Sequence, residues 1–377
     1  MSMIEGNNRA REMAALHQAT KKLNLFEFWS EDPTNERGAV DRLSFFIKAV
    51  PHIWRFAEIE PCLRKAGELI TMEESERRSL IMVNPALHPL ISTVSTMFSA
   101  YRINMPNEYM PAHRHSPNAI RFGLTGSTNF TGVDGEPITF GPGDLVLTPH
   151  DTWHNHGNGD DSGSINLSVL DMPLVNQLNA TYFEHQYFEG SGPTKTRKDV
   201  QSDRFSADYS RETYGAGGLM PRGISHKRGY GTSSPMFVYR WDATAAMLER
   251  LKNYDTDPYD GVMLEFTNPT TGGPVYKTMT FFMKLLRPGE RTPIQRQTAN
   301  QIVNVFQGKG TTTIGGRDFA WNKFDTFCIP GGEWYEHVNE TPDDAIFMIS
   351  SDEPTLKALG FYMRHGQNEA GEAVSLL

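Results

Sequence analysis

One stretch of this chain is written twice. MPNEYMPAHRH (105–115) lies over RPGERTPIQRQ (287–297) at an offset of 182, with Pro106 and Pro111 on Pro288 and Pro293. GDLVLTPHDTWHNHGN (143–158) lies over FDTFCIPGGEWYEHVN (324–339) at an offset of 181. Asp144, Pro149, Trp153, His156 and Asn158 meet Asp325, Pro330, Trp334, His337 and Asn339, and Gly126 meets Gly308. A drift of one residue over so long a span points to two copies of one module. Around both copies the texture is of short apolar runs cut by Gly, Pro, Asn and Asp, which is that of a β-sandwich or barrel.

The repeat sets the expected organisation. Residues 1–78 read as an N-terminal arm, with a helix over 7–24 that is rich in Ala, Arg, Glu, Lys and Leu. Residues 79–187 form the first β module. Residues 188–241, poor in aliphatics and dense in Gly, Ser, Thr, Arg and Lys, read as a linker. Residues 242–377 form the second module, entered by a helix over 242–252 with Asp242 as its cap. The net charge of −9 speaks against a general nucleic-acid binder. Two cysteines, Cys62 and Cys328, make no disulfide framework and point to a reducing, cytoplasmic setting. No apolar run is long enough to cross a membrane, and the N-terminus lacks the apolar core of a secretory signal.

What differs between the copies is as informative as what they share. In the first, His113 and His115 alternate, so a strand would point both imidazoles to one face. His154 follows 39 residues later, and a small jelly-roll barrel is a fold that joins such distant strands. Three imidazoles suit Fe, Zn, Cu or Ni. The second copy has Gln295, Gln297 and Tyr335 at these places, and amides and a phenol are poor ligands beside imidazole. It is expected to hold no iron and to support assembly, with a small-molecule pocket as the alternative. Arg121 shares the strand parity of the two histidines. The second copy has Val303 there, so the scaffold does not need the charge. A guanidinium facing a barrel interior needs an anion, either a structural partner or a ligand carboxylate. His156 follows His154 by two and shares its face. It either contacts a ligand or packs, since the second copy keeps His337. Trp153 and Cys328 read as packing residues.

The pattern P-x-H-x-H, then G, PGD, P, H and N, resembles the paired motifs of cupins. More narrowly, AHRHSPNAIRF, GDLVLTPHDTWHNHGN and LDMPLV (170–175) resemble the gentisate 1,2-dioxygenase group, which includes dioxygenases of salicylate, substituted salicylates and 1-hydroxy-2-naphthoate. The resemblance covers about residues 70–350. It implies an all-β-dominated bicupin of two jelly-roll barrels with N-terminal and linker helices, Fe(II) on His113, His115 and His154, O2 as co-substrate and a homotetramer. It also implies Arg121 as carboxylate clamp and His156 beside the substrate, with Arg102, Phe98 and Arg77 (next to Arg78) in the surrounding shell. Arg102 stands where the group commonly has glutamine, and Lys284 matches it in the second copy, so a surface role is the alternative. The glutamate that many cupins carry after H-x-H is missing. Three neutral imidazoles suit a chelating, anionic salicylate.

Gentisate enzymes carry an aspartate three residues before the aspartate of the L-D-x-P segment. Here that place holds Ser168, ahead of Asp171. Serine cannot act as a carboxylate base. The expected reaction is therefore cleavage between C1 and C2 of a salicylate with a non-ionising 5-substituent, 5-nitrosalicylate being the best case. Gentisate or 1-hydroxy-2-naphthoate cleavage is the rival, and a non-catalytic ligand-binding cupin is the rival of another class.

Overall fold

A computed structural model describes residues 3–23, 25, 48–72, 74, 78–159, 163–186, 188–189, 193, 196–197, 204–217, 219 and 232–376. The chain divides into two compact units, Met1–Ile47 and Lys48–Leu377. The first contains the helix Met3–Lys22, which matches the helix expected over 7–24. The second contains both β modules.

Each module is two antiparallel sheets packed face to face, the jelly-roll arrangement expected of a bicupin. In the first, the large sheet runs Val238–Tyr239, Leu145–Thr148, Ala119–Gly123, Ser164–Leu170, Phe98–Asn104, Ser79–Ile81. The small sheet runs Phe183–His185, Tyr109–His115, His154–Asn158, Asn129–Val133, Glu136–Phe140. In the second, the large sheet runs His52–Trp54, Thr326–Ile329, Gln301–Gln307, Ala345–Ser351, Thr280–Leu286, Val262–Glu265. A six-stranded sheet from Arg317–Trp321 through Gly310–Ile314, Tyr335–Asn339, Gln295–Gln297 and Arg364–Gln367 to Ala373–Ser375 faces it.

The main core lies between the barrels rather than within either. One continuous cluster joins Tyr101, Ile103, Ile120, Phe122, Leu147, Leu167 and Val169 to Tyr276, Phe281, Met283, Ile302, Cys328 and Met348. Alternation along a strand sends every second residue to the opposite face. In the first barrel those interior positions are polar: Arg102, Asn104, Arg121, Asn166 and Ser168. In the second they are mostly apolar, as Leu286, Val303, Phe347 and Ile349. Burial raises the Cys328 thiol to about 12, so it is the inert core cysteine expected.

Strand pairing crosses the boundaries drawn at 78/79 and 241/242. His52–Trp54, placed in the arm, pairs with Thr326–Cys328 of the second barrel. Val238–Tyr239, placed in the linker, pairs with Leu145 and Val146 of the first. Each strand leads through an arginine into a helix, Phe56–Leu69 or Trp241–Leu251. Asp325 accepts from Phe56 N (2.8 Å) and Arg55 Nη1 (3.2 Å), and Asp144 accepts from Trp241 N (2.8 Å) and Arg240 Nη1 (2.8 Å). A carboxylate at a helix N-terminus meets orphan N–H groups and the favourable end of the dipole. The repeat therefore includes a strand–helix leader that sits on the opposite barrel.

A second exchange locks the halves together. Asn118 N donates to Asp171 Oδ1 (2.8 Å) and Asn118 Nδ2 to Oδ2 (2.9 Å), and Thr278 of the second half closes on Asp171. In mirror fashion Asn300 grips Asp352 at 2.8 and 2.7 Å, and Thr96 of the first half closes on Asp352. The turn glycines repeat too: Gly126 and Gly308 have φ of 76° and 93°, and a Cβ there would strike Ser164 and Ala345.

Candidate metal centre and substrate pocket

The histidines owe their common face to a proline. Pro111 has no N–H for the ladder, and the pairing of Tyr109–His115 with His154–Asn158 slips between Met110 and His113. Met110 lies opposite His156 and His113 opposite His154, so the two residues between Met110 and His113 face the single Asn155. This bulge turns His113 to the face of His154 and His156. The ring centroids of His113 and His154 are 4.3 Å apart, those of His115 and His154 4.8 Å, and those of His154 and His156 5.2 Å. All four rings are buried.

The tightest trio of donor atoms is His113, His154 and His156, each within 4.8 Å of the others. The hydrogen bonds favour a different trio. The Nδ1 atoms of His113, His115 and His154 lie 3.2, 2.8 and 2.8 Å from the carbonyls of Pro111, Pro117 and Thr152. A carbonyl there needs the proton on Nδ1, which turns the Nε2 lone pair toward the cluster, as in most metal-bound histidines. The Nε2 of His156 instead lies 3.2 Å from Arg121 Nη2, which donates to it. The donors therefore fit a metal on His113, His115 and His154, with His156 between it and the guanidinium. Three neutral nitrogens in a buried site suit a divalent first-row ion.

The opposite wall is built from the large sheet. Arg121 pairs in register with Ser168, which pairs in turn with Ala100. Arg102 pairs with Asn166 in the next row. Arg102 is 2% exposed and donates through Nε to Asn104 Oδ1 (3.0 Å), which rules out the surface alternative. Two guanidinium groups thus face one interior. Burial, then Arg121, Arg102, His154 and His113, hold the His156 imidazole well below its ordinary pKa, so it is neutral. Phe98 ends the wall, packed with Ala119, Leu170 and Met172. Arg77 lies outside the described residues. Its neighbour Arg78 does not reach the site: it donates to the carbonyls of Gly67 (2.8 Å) and Ile70 (3.2 Å) at the end of the Phe56–Leu69 helix and pairs with Glu108. It ties down that helix.

A cupin domain model matches residues 103–170 and 282–350, the two halves of the repeat. A 5-aminosalicylate 1,2-dioxygenase of Comamonas sp. is 34% identical over 93% of this chain and 89% of its own. A gentisate 1,2-dioxygenase of Aquipseudomonas alcaligenes is 35% identical over 83% and 86%. The crystal structure of salicylate 1,2-dioxygenase from Pseudoaminobacter salicylatoxidans superposes with a TM-score of 0.83, covering 95% of this chain and 94% of that one at 27% identity.

The chain belongs to the gentisate and salicylate 1,2-dioxygenase family of bicupins. It is an aromatic ring-cleaving dioxygenase, and membership implies a metal centre and O2. Three pocket residues escaped the sequence analysis. Asn166 is buried, and neither Oδ1 nor Nδ2 has a hydrogen-bond partner among the described residues. The second copy has Phe347 at its place, so the comparison that singled out Arg121 would have found it. Phe183 and His185 pair with His115 and His113 from the edge strand, with Phe183 5.4 Å from the His115 ring. Their strand has its counterpart in Arg364–Gln367, which pairs with Gln295–Gln297 in the same register, but both lie beyond the motifs by which the repeat was recognised.

Proposed function

We propose that the protein cleaves a salicylate-type acid between its carboxyl-bearing C1 and hydroxyl-bearing C2, on Fe(II) held by His113, His115 and His154. The observation that carries this reading is the buried histidine cluster facing Arg121, Arg102 and Ser168 across one interior. Bound there, the iron supplies the one-electron chemistry that lets ground-state O2 react with a closed-shell ring. Three neutral imidazoles would leave the charge of a divalent ion to be balanced by an anionic salicylate.

The chain's own groups do the rest. Arg121 takes the carboxylate, because a planar fork suits two-point contact. Neutral His156 presents Nε2 as an acceptor for the phenolic proton once Arg121 turns to the substrate. Phe98 walls the ring. Arg102 and Asn166 face the ring's substituent with donors and an acceptor, and Ser168 offers no carboxylate base there. A non-ionising 5-substituent fits, a nitro group best, since its oxygens accept from both Arg102 and Asn166. Gentisate is the second reading, favoured by the relatives that carry its name. The assembly on this reading is a homotetramer.

Oxygen uptake by Fe(II)-loaded protein across 5-nitrosalicylate, 5-aminosalicylate, 5-chlorosalicylate, salicylate, gentisate and 1-hydroxy-2-naphthoate tests this directly. The expected order puts 5-nitrosalicylate above gentisate in kcat/KM. The reverse order overturns the substituent assignment, and no uptake with any of the six overturns the reaction.

A further inference from the structure

The donors of the second barrel are already engaged. Arg364 donates to Gln295 Oε1 through Nε (3.0 Å) and Nη2 (2.9 Å), Tyr362 OH donates to Gln297 Oε1 (2.9 Å), and Gln301 Nε2 to Tyr335 OH (2.9 Å). A guanidinium, paired with Asp257 and Asp260, stands against the amide that replaces His113. Yet the barrel is not filled. It contains a cavity of about 260 Å3, with Lys284 and His337 in its wall. These residues occupy the places of Arg102 and His156 in the first barrel. The repeat has exchanged the metal ligands and Arg121, but it has kept a cation and an imidazole facing the interior of both halves.

The described residues satisfy neither of them fully. Both are 1% exposed. The Lys284 ammonium has three N–H groups and, among the described residues, one partner, Asp260 Oδ1 at 3.5 Å. Asp260 is shared with Arg364 Nη2 (3.0 Å) and Gln295 Nε2 (2.9 Å). The other carboxylates of the wall are occupied: Asp257 by the Arg364 fork, Glu353 by Lys357, and Glu265 by Thr280 Oγ1 (2.6 Å). His337 contacts Thr312 Oγ1 through Nδ1 (2.9 Å), and its Nε2 is buried with no hydrogen-bond partner among the described residues. A buried ammonium short of acceptors is costly, and burial indeed lowers the Lys284 pKa. Met263, Phe282 and Ile349 give the cavity an apolar side. Phe282 and Ile349 stand where the first barrel has Ala100 and Ser168.

We propose that this cavity is a second ligand site, for a small aromatic monocarboxylate whose carboxylate meets Lys284 Nζ, with His337 Nε2 on an adjacent polar atom and the ring against Phe282 and Ile349. An ortho hydroxyl suits His337 in either tautomer, because it can donate or accept. The wall already carries four carboxylates, Asp257, Asp260, Glu265 and Glu353, against three cations, Lys284, Lys357 and Arg364, so a ligand anion can take only the N–H groups that Lys284 has left over, which limits it to one carboxylate. A second negative charge would meet no spare cation, which excludes a ring-opened dicarboxylate. The choice of an aromatic acid rests on the function proposed for the first barrel; the carboxylate at Lys284 does not.

Anaerobic equilibrium dialysis of the Fe(II)-loaded enzyme with labelled salicylate, where lack of O2 stops turnover, counts the sites. Two per chain are expected. Lys284→Met should weaken one class by about tenfold or more, as for a lost charge-assisted hydrogen bond, and Arg121→Ala the other. Unlabelled benzoate should displace the Lys284-dependent class. A single site lost in Arg121→Ala, or two sites indifferent to Lys284→Met, overturns the proposal. A single site lost only in Lys284→Met keeps it and removes the reading of the first barrel. Should Lys284→Met fail to fold, Ile349→Trp, which fills the cavity from its apolar side, is expected to show the same loss.

Discussion

At the scale of residues, the pair His113 and His115 with His154 was legible because alternation and the repeat both isolate it. Alternation alone does not separate His156 from this set. The separation depends on where each Nδ1 finds a carbonyl, a matter of local backbone path. His115→Ala should lose the metal, whereas His156→Ala should still bind about one iron per chain by metal analysis. The opposite result would make the tighter geometric trio the ligand set. Arg121 and Ser168 were singled out separately, and the structure puts them side by side on adjacent strands. Arg102 was weighed as a surface residue because Lys284 repeats it, yet both are buried. A shared charge between copies marked a shared interior position, not a solvated face. On the proposed function, Ser168→Asp puts a carboxylate beside the substituent and should shift the kcat/KM ratio toward gentisate by about tenfold or more, a modest share of what a positioned base contributes. An unchanged ratio would remove Ser168 from substrate selection.

Elements were legible where the period was clear and obscure where they were short. The HIWRF and VYRW stretches are three and two residues of strand followed by an arginine, and they lie outside the texture that marked the modules. Only their partners on the opposite barrel make them strands, and a distant partner leaves no local signal. The closing elements of the second barrel have a measurable electrostatic role. Burial would raise the Asp257 carboxyl, but the Arg364 fork and the N–H groups of Asp260 and Tyr259 outweigh it and hold the pKa to about 2. A carboxyl whose pKa is depressed in the fold adds stability above its ordinary pKa and loses it as pH falls toward the depressed value. Urea unfolding should therefore show a decline between about pH 4 and pH 2, of the order of 1 kcal/mol for a group a third exposed to screening solvent. Arg364→Met should remove this component. An identical acid profile in wild type and variant would show that the fork does not govern Asp257.

For the whole molecule, the question is whether two barrels make two folding units. The repeat suggests that they do, since each copy carries its own turns, prolines and strand set. The packing argues otherwise. The largest apolar cluster is shared between the facing sheets, so either barrel alone would expose its half of Tyr101, Phe122, Leu167, Phe281 and Met348 to water. Each large sheet also ends in a strand supplied from the leader of the other half. Each helix leader is capped by an aspartate of the opposite barrel, and each Asp–Asn latch is closed by the other's threonine. Separating the halves would strip a strand, a cap and a latch from both, besides an apolar face too large to leave in water. Denaturant unfolding of residues 1–377 is thus expected to be a single cooperative transition for both barrels, with near-UV and far-UV signals coincident. A fragment spanning 79–187, the first module as the repeat alone would cut it, should show no cooperative transition. Two resolved transitions in the full chain, or a folded fragment, would mean that the shared core is an interface between independent domains.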